Sequence, residues 1–106
     1  MRTFESESAA RALNYIGIAK KAGRLTIGTP NVCDALRRGT KFAVFMASDA
    51  SEPTKKKLCD KCAYYGAELY VLSCTCGELA HRIGKTGTVA AVMIADAGLS
   101  RAAAGE

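Results

Sequence analysis

The chain has 106 residues, 49% of them apolar, enough for one buried core and too many for a disordered tail. No apolar run reaches the roughly 18–20 residues of a membrane-spanning helix, and the start, Met1 to Glu7, lacks a basic segment followed by an apolar one, so a soluble cytoplasmic protein without signal peptide or membrane partner is expected. Fifteen basic residues against ten acidic ones give a net charge of +5, and the surplus is concentrated: Lys20, Lys21, Arg24, Arg37, Arg38 and Lys41 face Asp34 alone between positions 20 and 41. Such a stretch suits a polyanionic partner, most often nucleic acid.

Residues 1–7 are polar and are expected to fray, as are 105–106. Ser6 or Ser8 can cap a first helix that runs to about Ala22, with Ala12, Leu13, Ile16 and Ala19 on one face. Gly23 ends it, and Lys20 and Lys21 stand in its last turn, where cations suit the helix dipole. Leu25-Thr26-Ile27 reads as a short strand and Gly28 as the turn into a second helix. Pro30 fits that helix's first position, since its missing N–H would be unpaired there anyway. Val32, Ala35 and Leu36 form the buried stripe and Gly39 the stop. The helix start has unpartnered N–H groups, which suit a phosphate or a polar base edge.

Phe42 to Ala47 is continuously apolar, as in a strand covered on both faces. Ser51 can cap a third helix to about Tyr65, with Leu58, Cys62 and Tyr65 inward, Lys55, Lys56, Lys57 and Lys61 mostly outward, and Gly66 at its end. Leu69 to Leu72 is the third strand. Thr75 and Glu78 fit a capping box for a short helix that buries Leu79 and Ile83 and stops at Gly84. Lys85-Thr86-Gly87 is a loop, Val89 to Ile94 a second buried strand, and Leu99 to Ala104 a weak final helical turn. The order α-β-α-β-α-β-α-β implies a three-layer α/β/α sandwich with a four-stranded sheet, and a single domain over residues 8–104.

Enzyme chemistry has little support. His81, the one histidine, has no nucleophile or carboxylate placed to orient it, and neither phosphate-binding nor dinucleotide-binding glycine motif is present. No catalytic residue and no cofactor is expected. Cys59-x-x-Cys62 followed by Cys74-x-Cys76 superficially resembles a zinc set. Two of the four lie inside a helix, however, and the second pair is one residue too tight. A metal or thiol site is the least favoured reading. The Gly28 turn and the Gly84–Gly87 loop each join a helix to a strand. Whether they share one end of the sandwich is open from these residues alone. If they do, a helix start and a small loop face each other across a basic rim, an arrangement suited to irregular RNA.

Several segments together resemble the kink-turn-binding ribosomal protein superfamily (large-subunit proteins of the seven-Ae and thirty-e type), in its bacterial YlxQ-like branch. They are Leu13 to Leu25, Gly28 with Gly39, Ala47 to Glu52 running into Thr54-Lys55-Lys56-Lys57, Asp60 to Tyr65, and Glu78 to Lys85. The resemblance implies a mixed four-stranded sheet, one shared face for the Gly28 turn and the 83–88 loop, and a monomeric RNA-binding protein associated with rRNA or the ribosome. It implies an RNA site made of Lys20, Lys21, Arg24, Gly28, Thr29, Asn31, Asp49, Lys85, Thr86, Gly87 and Val89. One departure stands out. The family's Gly-x-Asn-Glu-x-x-Lys helix start reads here Gly28, Pro30, Asn31 and Asp34. The rival expectation is a protein-interaction module that has lost specific RNA recognition and uses the Lys55–Lys57 face or the alanine-rich tail.

Overall fold

The computed structural model describes residues 2–4, 6–40 and 42–105. Lys41, part of the basic stretch, and Glu106 lie outside the described residues. The elements are β1 (Arg2–Phe4), α1 (Ser6–Lys21), β2 (Leu25–Ile27), α2 (Thr29–Arg37), β3 (Val44–Ala47), α3 (Glu52–Tyr65), β4 (Leu69–Leu72), α4 (Cys76–Arg82), β5 (Ala91–Ile94) and α5 (Ala97–Ala104). The four expected strands build a mixed sheet in the order β4-β3-β5-β2, with β3 parallel to β4 and β5 antiparallel to both β3 and β2.

A fifth strand corrects the expectation of a frayed start. Arg2–Phe4 pairs in parallel with β4, Arg2 opposite Tyr70 and Phe4 opposite Leu72. The free edge of β4 offers unpaired backbone groups, and a short extended segment satisfies them. Helix α1 begins at Ser6, so Ser6 and Ser8, the two expected caps, both lie within the helix rather than before it. The other terminal correction is α5, which is a full helix: Asp96 Oδ1 accepts the Leu99 N–H at 2.9 Å as its N-cap.

Alternation along the strands divides the core into two layers. Phe45, Tyr70, Leu72, Val92 and Ile94 pack with Ala12 and Ile16 of α1, Leu79 of α4 and Ala103 of α5. Val44, Met46, Leu69 and Met93 pack on the other face with Val32 and Leu36 of α2 and Leu58 and Cys62 of α3. Phe45 and Tyr70 stack across the strand pair with ring centroids 5.4 Å apart. β3 and β5 are buried at every position, as their continuous apolar runs require.

Both central strands are shorter than their apolar runs, and the hydrogen bonds explain why. The Ala43 N–H donates to Ser100 Oγ at 2.9 Å, and the Val89 N–H to the Cys76 carbonyl at 3.1 Å, so neither joins the ladder. Four helices end on the same device. Gly23, Gly39, Gly66 and Gly84 have φ of +70°, +96°, +74° and +75°. Each lets the following residue reach back: Arg24 N–H to the Ala19 carbonyl, Thr40 to Ala35, Ala67 to Cys62 and Lys85 to Ala80, at 2.8, 3.0, 2.9 and 2.9 Å.

Ser100 is the buried polar side chain that ties α5 to the start of β3. Ser100→Ala leaves the Ala43 N–H buried without an acceptor, which costs about 1–3 kcal/mol. Urea denaturation should show that loss, and amide exchange at Ala43 should accelerate with it.

Candidate functional site

One end of the sheet collects the starts of four helices. β1, β2, β3 and β4 each lead there into α1, α2, α3 and α4, and the 84–90 segment returns to the same end to begin β5. The Gly28 N–H donates to the Ala91 carbonyl at 2.9 Å, and Ile27 is paired with Val92. The Ala47 N–H donates to the Ala90 carbonyl, also at 2.9 Å. The helix start at Gly28 and the loop before β5 are therefore neighbours. Four helix N-termini at one end of the sheet give that end a positive backbone field.

Gly28 has φ +95° and ψ +144°, a conformation that a side chain would strain. A Cβ there would meet nothing closer than 4.0 Å, so the dihedral and not crowding demands glycine. It is the N-cap of α2 and supplies no capping side chain. The N–H groups of Thr29 and Asn31 are thus left without a side-chain cap. Pro30, at the second helical position rather than the first, has none to offer. Asn31 is exposed, yet its Nδ2 donates to the Ile27 carbonyl at 2.9 Å and so closes the strand-to-helix turn. Asp34 turns along the helix and pairs with Arg37 and, at 3.0 Å, with Arg38. Its carboxylate is engaged by cations on its own helix.

The loop is fixed at both ends. The Lys85 N–H bonds to the Ala80 carbonyl at 2.9 Å, and the Val89 N–H to that of Cys76. Lys85, Thr86, Gly87 and Thr88 form an exposed tip, with Gly87 at φ +83°. Val89, expected in the RNA site as part of the loop lining, is buried in the core beneath it. Asp49 also does something other than expected. Its Oδ1 accepts the Cys76 N–H at 2.6 Å, which ties the β3–α3 loop to the start of α4. Ser48 adds a second tie, its Oγ donating to the Cys74 carbonyl at 3.0 Å. The Cys76 hydrogen bonds hold the exposed Asp49 carboxyl below the ordinary carboxylate value.

Lys20, Lys21 and Arg24 are not at the Gly28 turn. Arg24 precedes β2 and its carbonyl accepts the Ala95 N–H at 2.7 Å, at the opposite end of the strand pair. A strand rise of about 3.3 Å per residue puts it about 13 Å from Gly28. Lys20 and Lys21 line a groove between α1 and α4 with Arg82 and Ile83, at the foot of the loop. Arg82 thus joins the basic residues beside Lys85; its only signal in the sequence is its place in the last turn before Gly84.

The cysteines separate. Cys62 belongs to the core layer of α2 and α3, and Cys74 to the layer of α1, α4 and α5. Burial pushes the Cys62, Cys74 and Cys76 thiols up to about 11, the Asp49 hydrogen bond adding to the effect at Cys76, so all three are protonated at neutral pH. Among the described residues no group of three or more His, Cys, Asp or Glu is arranged to hold a metal ion. His81 is exposed on α4.

The family model for the ribosomal protein L7Ae/L30e/S12e/Gadd45 family matches residues 10–104. An Enterococcus faecium protein named RNA-binding protein YlxQ is 40% identical over 75 residues, which cover 71% of this chain and 72% of that one. A Bacillus halodurans protein of unknown function has a solved structure that superposes with a TM-score of 0.82 at 35% identity, over 91% of this chain and 95% of its own. The Giardia lamblia 15.5kD RNA-binding protein shares the fold at 17% identity, with a TM-score of 0.83 over 97% of this chain and 87% of that one.

The tie from Asp49 to Cys76 has a pH signature. A carboxyl whose folded pKa is depressed adds stability above its unfolded pKa of about 3.9 and loses it as pH falls through the folded value. Asp49→Ala should therefore be less stable than the parent at neutral pH. The gap between their thermal midpoints should close as the pH drops below about 4. Amide exchange at Cys76 should be faster in the variant at pH 7.

Proposed function

Because the chain belongs to the ribosomal protein L7Ae/L30e/S12e/Gadd45 family, we propose that it is a non-enzymatic RNA-binding protein that recognises structured, kink-turn-like RNA associated with rRNA or the ribosome. Its RNA-binding unit is a single domain over residues 8–104, acting as a cytoplasmic monomer. The observation that carries this reading is the Gly28–Ala91 hydrogen bond, which makes an uncapped helix start and an exposed basic loop adjacent. The name of the Enterococcus faecium relative supports RNA as the partner class.

The roles divide by chemistry. The Thr29 and Asn31 N–H groups, the Thr29 hydroxyl and Asn31 Oδ1 contact base edges or phosphates presented to the helix start. Gly28 lets the RNA approach the backbone. The 85–88 tip packs on a splayed nucleotide, and Lys85 meets a phosphate. Lys20, Lys21 and Arg82 extend the phosphate track along the α1–α4 groove. Arg24 and Asp49 act at one remove, the first as a long-range positive charge and the second by holding the loop framework.

The helix start departs from the strong-binder pattern, and the departure has a consequence for affinity. Asn31 stands where the family's glutamate does, and its amide is shared with the Ile27 carbonyl. Asp34 replaces a lysine but is paired with Arg37 and Arg38, which weakens its repulsion of a nearby phosphate. Backbone donors consequently carry more of the recognition than side chains do.

Electrophoretic binding to a kink-turn RNA, compared with the same RNA after replacement of its G·A pairs, tests the reading. Tighter binding to the intact kink-turn is expected; equal weak binding to both removes specific recognition. Lys85→Ala should weaken binding to both RNAs and lower the slope of log K against log salt by about one unit. Gly28→Ala should weaken binding to the intact kink-turn while leaving the non-specific affinity for the altered RNA nearly unchanged.

A further inference from the structure

The outward face of α3 is unaccounted for by the site at Gly28. Lys56, Lys57, Asp60, Lys61, Tyr64 and Tyr65 border a groove of about 750 Å³ along this helix. Three of the six are lysines against the single Asp60. Among the described residues, Lys56, Lys57 and Lys61 take part in no ion pair, whereas Lys55 approaches Glu52 at 3.8 Å. At the far end of the groove stands Tyr64, 80% exposed. Its ring meets Tyr65 edge-on, with centroids 4.8 Å apart and planes at 88°. Tyr65 is itself half-buried against the α2–α3 core layer. Tyr64 is thus held in place by an anchored neighbour while its own ring stays open to solvent.

We propose that this face of α3 is a second RNA-contact surface, which takes a single-stranded segment with its phosphates on Lys56, Lys57 and Lys61 and a base stacked on Tyr64. A nucleotide is the ligand unit that supplies an anion and a flat π-face together, at the spacing of a helix face that offers cations and then an aromatic ring. An acidic protein segment would use the lysines and leave the tyrosine ring uncovered. The surface is continuous with the Gly28 end: α3 starts at its Ser51 cap beside the Asp49 loop. From there it runs about 21 Å at 1.5 Å per residue. An RNA engaged at the helix start can therefore extend a flanking strand down α3. The proposal takes its partner class from the RNA-binding reading, and it does not depend on kink-turn recognition.

The test uses the full chain and a fluorescein-labelled polyuridine strand of about twelve nucleotides, within the usual span of single-strand sites. Binding is followed by anisotropy at low salt. Tyr64→Ala should weaken it about tenfold, the loss of one stacked base, and Tyr64→Phe should retain it. The double variant Lys57→Gln, Lys61→Gln should lower the salt slope by about 1.4, two phosphate contacts on a single strand. Ultraviolet crosslinking should place the adduct on the peptide that carries Tyr64. Unchanged affinity in Tyr64→Ala, or no binding of polyuridine by the parent protein, overturns the proposal and leaves the face to an acidic protein partner. Failure of the kink-turn reading is a separate result, the loss of discrimination between intact and altered kink-turn RNA.

Discussion

The architecture turns on β5 running antiparallel between β3 and β2. A parallel strand in that slot would enter the sheet from the other end and carry its preceding loop away from Gly28. Because β5 is reversed, the 84–90 segment must come back to the end where β2, β3 and β4 hand over to their helices. The hydrogen bonds from Gly28 to Ala91 and from Ala47 to Ala90 are the direct expression of this reversal. This end thereby brings together what makes it a candidate for RNA: helix starts, the loop that carries Lys85, and a glycine that opens the backbone.

The same end combines rigid supports with exposed tips. Ser48, Asp49, Asn31 and the Val89 N–H are all engaged with backbone partners across neighbouring segments. These contacts fix the loops from beneath, so that the backbone donors of Thr29 and Asn31 and the 85–88 tip hold a set geometry before any ligand arrives. Such pre-ordering reduces the conformational entropy that binding must otherwise overcome. Asp49 and the Val89 N–H both take part in this framework through Cys76.

Much of the fold was legible in the sequence because its signals are local. Gly23, Gly39 and Gly84 follow apolar stripes at helical spacing, and each ends a helix. The continuous apolar runs around Val44–Ala47 and Ala91–Ile94 form strands buried on both faces. The Thr75–Glu78 capping box is present as read. What was not legible depends on partners distant in the chain. Arg2–Phe4 is a strand because of β4's edge, not because of its own composition. Val89 is buried and Asp49 accepts the Cys76 N–H, both consequences of how distant segments meet at this end of the sheet. The shared face of Gly28 and the 84–87 loop was open to the residues alone, and only the family resemblance implied it.

Asn31 illustrates a different kind of constraint. Its amide is already employed within the molecule, on the Ile27 carbonyl. A base that recruits the same N–H does not fill an idle donor; it exchanges one hydrogen bond for another of similar strength, with little net gain. The amide carries a second N–H and an acceptor oxygen, so a group that meets those leaves the strand-to-helix turn closed, whereas one that takes the first N–H opens it. One side chain thus couples the geometry of the turn to whatever approaches the helix start.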